Sequence, residues 1–123
     1  MQFGVNHLGH VLLTELLLPL IKAAKSQNFK PRIINVSSLA HYSGSINEER
    51  LRLYTKEHQK EKFPIFPLAT AIAYNDSKLA NVLHAKALAK KLEIYGINTY
   101  SLHPGVIREY HALIILVSIL LQS

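Results

Sequence analysis

Apolar residues crowd the start of the chain at helical spacing. Over residues 6–25, Leu8, Val11, Leu12, Leu16, Leu17 and Leu20 form a wide apolar face, and Leu13, Leu18 and Ile21 extend it almost all round. A helix apolar on every side is normally buried or covered by a neighbour. Pro19, late in this run, is expected to kink or shorten it. The polar residues 25–31 read as a loop. Residues 32–37 read as a strand with β-branched Ile33, Ile34 and Val36 at its centre. Residues 39–73 are the least regular. Within them, the charge-rich stretch 47–62 has only Leu51, Leu53 and Tyr54 as large apolar residues, and supports at best a weak solvated helix ended by Pro64 and Pro67. A second helical pattern spans residues 71–95. Leu79, Val82, Leu83, Leu88 and Leu92 supply its apolar side, and Lys86, Lys90, Lys91 and Glu93 its wet side. Gly96 suits its C-terminal stop. Residues 97–103 read as a second strand ended by Pro104-Gly105, and the apolar segment 113–121 closes the chain.

Strand, helix and strand in this order make one parallel βαβ crossover. Two parallel strands do not make a stable sheet alone, because parallel sheets are covered on both faces. The pattern is that of part of an α/β domain. Length agrees, since 123 residues, 49% of them apolar, supply one small domain. The absence of cysteine excludes a disulfide framework, a thiolate nucleophile and a Cys-ligated zinc site. The net charge of +6 suits an anionic partner without choosing one. No apolar run is read as reaching the ~20 residues of a transmembrane helix. Met1-Gln2-Phe3-Gly4 has no basic region before an apolar run, so no secretory signal is expected.

Candidate chemistry gathers at the strand ends. Tyr74 and Lys78 are four residues apart, on one helix face and about one turn from each other. A free tyrosine, with a pKa of about 10, is a poor acid–base group at neutral pH, and a nearby ammonium favours its phenolate. Chance supplies about 0.5 such pairs in a chain of this composition, so the spacing alone is weak. Context strengthens it. The first strand ends in Ser37-Ser38 and the second in His103-Pro104-Gly105. Ligands of open α/β sheets bind beyond such strand ends. Ser38, Tyr74 and Lys78 are therefore expected to face one crevice. The bland alternatives are a strand-to-loop turn at Ser37-Ser38 and an exposed lysine one turn beyond a packed tyrosine.

Four segments occur in order: Val5-Asn6-His7-Leu8-Gly9-His10, Asn35-Val36-Ser37-Ser38-Leu39-Ala40-His41, Tyr74-Asn75-Asp76-Ser77-Lys78-Leu79-Ala80-Asn81 and His103-Pro104-Gly105-Val106. Together they resemble the second half of a short-chain dehydrogenase/reductase, most closely its retinol dehydrogenase branch, over residues 1–108. The resemblance implies the C-terminal part of a Rossmann-type doubly wound parallel sheet, incomplete here, with residues 109–123 a divergent apolar tail. It implies NAD or NADP as cofactor and a small lipophilic alcohol or carbonyl, such as a retinoid, as substrate. By motif, Tyr74 resembles the catalytic acid–base. Lys78 resembles the residue that assists it and holds the nicotinamide ribose. Ser38 resembles the group that positions the substrate oxygen, and Asn6 the helix asparagine that holds a water behind Lys78. Pro104, Gly105 and Val106 resemble the turn that receives the nicotinamide carboxamide.

Departures from the pattern matter equally. The five glycines Gly4, Gly9, Gly44, Gly96 and Gly105 make no glycine-rich dinucleotide turn. Glu109 stands where the family has a hydroxyl, and a carboxylate there would repel a pyrophosphate. The resemblance fades beyond Arg108, and the insert between Ser38 and Tyr74 is long for the branch. Residues 42–70, with few apolar anchors, are expected to be the most mobile internal segment, covering the substrate side of the crevice. The alternative reading is a truncated, non-catalytic family member that acts by binding a partner, with self-association through uncovered sheet. No metal site is expected, because His7 and His10 lack a carboxylate at a ligand spacing. No nucleic-acid patch is expected either, because Lys56, Lys60 and Lys62 alternate with Glu57 and Glu61. The sequence does not fix a location; a cytoplasmic one or the cytoplasmic face of an intracellular membrane is expected.

Overall fold

The computed structural model describes residues 2–55 and 66–105, the side chains of 66–68 excepted. The expectations for Val106, Glu109, the tail and residues 56–65 of the insert lie outside the described residues. A π-helical turn, Gly4–Leu8, runs into α1, Gly9–Ala23. After a loop come β1, Arg32–Val36, a 3-10 turn, Leu39–Ser43, and the short α2, Glu48–Arg52. The long α3, Phe66–Leu92, leads through a second 3-10 turn, Glu93–Tyr95, into β2, Asn98–Leu102. The strands pair in parallel, Arg32 opposite Asn98 through Val36 opposite Leu102. This is the expected crossover. It forms an incomplete Rossmann-like α/β unit in which α1 and α3 lie on one face of a two-stranded sheet.

The core sits at the N-terminal ends of the strands. Leu18 of α1, Ile33 of β1, Leu88 and Leu92 of α3 and Ile97 are buried together, with Ile21 packed against them. Alternation along the strands explains the layer. Ile33, Asn35 and Ser37 face α3, where Thr99 also donates to the carbonyl of Ala85 (2.7 Å). Val36 and Tyr100 face the other way and are exposed. The buried alanines Ala73, Ala80 and Ala85 let α3 lie close to its neighbours.

The end of α3 is a Schellman cap. Gly96 takes φ 61°, its N–H donates to Glu93 O (2.8 Å), and the Ile97 N–H donates to Leu92 O (3.4 Å). Leu92 and Ile97, both buried, make the apolar contact that accompanies such caps.

Two expectations for the first helix are corrected. Its leucine face is not buried. Leu8, Leu12, Leu13, Leu16, Leu17 and Leu20 are all exposed, and Leu18 alone is fully buried in α1. The stripe facing the rest of the fold is His7, Val11, Thr14, Leu18 and Ile21, spaced three and four apart. It is a narrower and more polar stripe than leucine content suggested. Pro19 is accommodated within the helix, which runs four residues past it to Ala23. The Glu15 carbonyl, which loses its donor to Pro19, belongs to an exposed residue where water can serve. The helix from Gly4 to Ala23 is 20 residues long with mean hydropathy 1.3. It is thus long and apolar enough to cross a membrane by length and composition, contrary to the sequence expectation. A core helix left uncovered passes the same measure.

Two substitutions probe this frame. Leu92→Ala should lower unfolding free energy by about 2–5 kcal/mol in denaturant titrations, because a fully buried leucine leaves a cavity. Gly96→Ala should lose about 1–2 kcal/mol by the same measurement, from forcing a β-carbon into the left-handed region. The atom its Cβ would meet, Lys25 Nζ at 2.9 Å, ends a flexible chain and gives way readily.

Candidate active site

Parallel pairing puts the C-terminal ends of β1 and β2 on one edge of the sheet. Ser37 and Ser38 follow one strand, and His103, Pro104 and Gly105 follow the other. Ser37 is buried and structural. Its N–H donates to Leu102 O (2.7 Å), and its hydroxyl donates to the backbone carbonyl of Lys78 (2.8 Å). That bond fastens the strand end to α3. Ser38 is half-buried and caps the following 3-10 turn, its Oγ accepting from the Ala40 N–H (3.2 Å). The cap uses a lone pair and leaves the O–H able to donate.

Tyr74 and Lys78 lie on the middle turns of α3. The helix begins at Phe66, earlier than its apolar pattern indicates, so Tyr74 is not at the helix start. The Lys78 ammonium lies 5.5 Å from the centroid of the Tyr74 ring and donates to Val36 O, the last carbonyl of β1 (3.3 Å). A cation beside a phenol stabilises negative charge that develops on its oxygen. Asn6 sits in the π-helical turn, and its Nδ2 donates to Gln2 Oε1 (2.9 Å) and Ser77 Oγ (3.3 Å). Single π turns are frequent at functional sites, since the extra residue re-aims local side chains.

Sequence reasoning gave no role to Asn81, which joins these parts. It is 1% exposed, and its Nδ2 donates both to Asn6 O (3.1 Å) and to Val36 O (3.2 Å). With both amide hydrogens used, Oδ1 is the atom facing His7 Nδ1 (2.9 Å), so His7 carries its proton on Nδ1. Spacing held a signal for this, because Ser77, Asn81 and His84 recur at four and three along one helix face. His84 lies edge-on to His7, with ring centroids 5.9 Å apart, and its Nδ1 is buried. Burial first, and then a positive charge on His7, lower its pKa below the usual 6.5, Lys91 acting likewise and Glu15 opposing.

The insert is anchored by a charge, which sequence reasoning also missed. Asp76 is completely buried, and its carboxylate accepts from the Ser45 N–H (2.8 Å), from Arg50 Nε (3.0 Å) and from the Tyr54 hydroxyl. Burial, then the hydrogen bond and negative charge of Asp76, push the Tyr54 pKa far above the ordinary tyrosine value. Arg50 and Tyr54 are only four apart, but Asp76, the partner they share, lies 26 and 22 positions away from them. Residues 42–55 are therefore tied to α3, against the expectation of a weakly anchored segment.

The groups present that suit the nicotinamide end of a dinucleotide are the lysine and tyrosine beside the end of β1, and Gly105 after β2 with φ 93°. No glycine-rich turn that would cradle a pyrophosphate occurs among the described residues.

Comparison with known proteins finds several retinol dehydrogenases among the relatives. The chain is 46% identical over 107 residues to Retinol dehydrogenase 11 of Mus musculus, covering 87% of this chain and 29% of that protein. It is 46% identical over 108 residues to Retinol dehydrogenase 13 of Homo sapiens, covering 88% and 28%. Retinol dehydrogenase 12 of Homo sapiens is 46% identical over 107 residues, 87% of this chain and 29% of that protein. The chain thus spans under a third of the length of these relatives. A crystal structure of an uncharacterized protein from Mycobacterium paratuberculosis superposes with a TM-score of 0.61 at 33% identity, covering 92% of this chain and 36% of that one. No family model matches.

Two pH responses follow. Because the folded-state pKa of His84 lies below its unfolded value, the stability gained from keeping it neutral is complete above about pH 6.5 and declines as pH falls. Urea titrations between pH 7.5 and 5 should show this loss, and His84→Gln should flatten it. Tyr54 has the opposite sign. Its folded pKa is raised, so its contribution is complete below about pH 10 and is lost only as pH rises further. Tyr54→Phe should remove that alkaline dependence.

Proposed function

We propose that this chain, a retinol-dehydrogenase-like sequence of the short-chain dehydrogenase/reductase family, carries the proton-transfer half of an NAD(P)-dependent oxidoreductase site that interconverts a lipophilic alcohol and its carbonyl. Tyr74 is the acid–base, Lys78 its cationic neighbour, Ser38 the donor to the substrate oxygen and Asn6 the residue behind Lys78. The observation that carries this reading is the Lys78 ammonium over the Tyr74 ring, beside the last carbonyl of β1. In the reducing direction the Tyr74 hydroxyl gives its proton to the substrate oxygen. In the oxidising direction the phenolate takes that proton back. Lys78 stabilises the charge left on the tyrosine oxygen, and its bond to Val36 O fixes the ammonium. The Ser38 O–H aims a second donor at the same substrate oxygen. When bound, the nicotinamide accepts or supplies the hydride. The relatives named as retinol dehydrogenases support a retinoid-like substrate.

A second reading, a non-catalytic chain that binds a partner, is favoured by the exposed leucines of α1 and by Val36 and Tyr100 on the open sheet face. Two measurements test these readings, the first on the chain alone and the second, which separates them, on a chimera. In calorimetry the chain alone should bind NAD or NADP more weakly than about 1 mM and turn over no retinal, since nothing described holds the pyrophosphate. Tight binding with Tyr74-dependent turnover would show a complete enzyme instead. A chimera with residues 1–108 in place of the matching stretch of mouse Retinol dehydrogenase 11 should interconvert retinol and retinal. Tyr74→Phe in it should lower kcat by about 100-fold or more. A folded, cofactor-binding chimera without turnover, or one indifferent to Tyr74→Phe, would overturn the catalytic reading.

A further inference from the structure

We propose that Asp76 is a positioning residue: with Arg50 and Tyr54 it closes a strap that holds the α3 turn bearing Tyr74 and Lys78 against the end of β1. The inference rests on the roles proposed above for those two residues.

Asp76 lies between them in sequence but not in space. Two residues along a helix turn it by about 200°, so Asp76 points away from the face shared by Tyr74 and Lys78. Among the described residues its polar partners come from one segment, residues 45–54. That segment wraps α3. It leaves the end of β1 just after Ser37 has bonded the Lys78 carbonyl. At Gly44 it presses on the helix so closely that a β-carbon there would stand 2.6 Å from Asn75 O and 2.9 Å from Leu79 Cβ. It then meets Asp76 through the Ser45 N–H. Asn47 caps α2 by accepting from the Arg50 N–H (2.8 Å), which orients Arg50 toward the carboxylate. Tyr54 stacks on buried Phe3, with ring centroids 4.6 Å apart and planes within 6°. Phe3 adjoins the π-helical turn that holds Asn6. The strap thus runs from β1, across the outer side of α3, to the start of the first helix.

The carboxylate is the component that an apolar residue would not replace. A fully buried charge is tolerated only with its hydrogen-bond capacity filled, and here one oxygen takes the Ser45 N–H while the other takes Arg50 and Tyr54. Asp76→Asn keeps an acceptor for Ser45. It also sets an amide N–H against the Arg50 guanidinium and removes the charge that, after burial, helps raise the Tyr54 pKa. The strap opens, and the turn beneath it loosens while the Leu88–Leu92 core is untouched.

The test uses the full chain with 13Cζ-tyrosine, its signals assigned by Tyr→Phe variants. In Asp76→Asn, Tyr54 should ionise nearer to the ordinary tyrosine range, and the Tyr74 signal should shift with it, while Tyr95, after the end of α3, and Tyr100, on the open sheet face, stay in place. Amide exchange over residues 70–79 should rise about tenfold relative to residues 84–92. Tyr54→Phe, which keeps the stacking on Phe3, should move Tyr74 in the same direction by less, and keeps the test open if Asp76→Asn folds poorly. A freed Tyr54 with an unmoved Tyr74 would overturn the proposal. In the chimera, Asp76→Asn should lower kcat about tenfold with KM unchanged. An active chimera indifferent to Asp76→Asn sinks the strap and leaves the catalytic reading. An inactive chimera whose Tyr74 signal still follows Asp76 sinks the catalytic reading and leaves the strap's hold on that turn.

Discussion

The site depends on one buried amide. A carboxamide without water must place both hydrogens and its oxygen on partners, because an unmet group in the interior costs about as much as several good hydrogen bonds contribute. Asn81 meets this demand only if the π-helical turn, the end of β1 and His7 all stand where they do, since Asn6 O, Val36 O and the His7 ring are its three partners. The Val36 carbonyl that it holds is the same one that holds the Lys78 ammonium. Displacing any one element would leave a buried polar group unmatched, so the geometry around Lys78 is set by satisfaction of hydrogen bonds more than by apolar packing.

Apolar packing does its part at the opposite end. Leu18, Ile33, Leu88, Leu92 and Ile97 fill the space near the start of the strands, where the Gly96 cap turns the chain from helix to strand. The long α3 joins the two regions, with a hydrophobic half against the strand starts and a polar half against the strand ends. Rigidity comes from the first and chemical placement from the second. The exposed leucines of α1 belong to neither.

Much of this was legible in the sequence. Tyr74 and Lys78 stood out because a spacing of four on a helix is a local relation, and the left-handed cap at Gly96 because glycine has a physical reason to be there. The parallel crossover followed from element order alone. What stayed hidden depended on partners remote in the chain. Asp76 reads as an ordinary polar position until Arg50 and Tyr54 fold onto it, and Asn81 until three elements meet around it. The first helix misled for another reason. With leucine on nearly every side, hydrophobicity does not say which side is buried, and the answer came from the polar contacts of His7 and the Glu15–Lys91 ion pair (3.1 Å). The start of α3 was misplaced because Pro67 is compatible with a first helical turn.

The bonds that assemble the site also set an order of events in folding. Asn6 meets Ser77, His7 meets Asn81, and the Asn6 carbonyl meets Asn81 across 71, 74 and 75 positions of chain. Loop closure over such spans slows formation of a contact, while the turns of α3 and its cap close over a few residues. A chain emerging during synthesis has made its first helix long before Asn81 exists to join it to the end of β1. The turn with Asn6 must wait for a residue two-thirds of the way along the chain. The chemistry-bearing end, like the core that brings Leu18 together with Ile97, therefore closes only after α3 has formed.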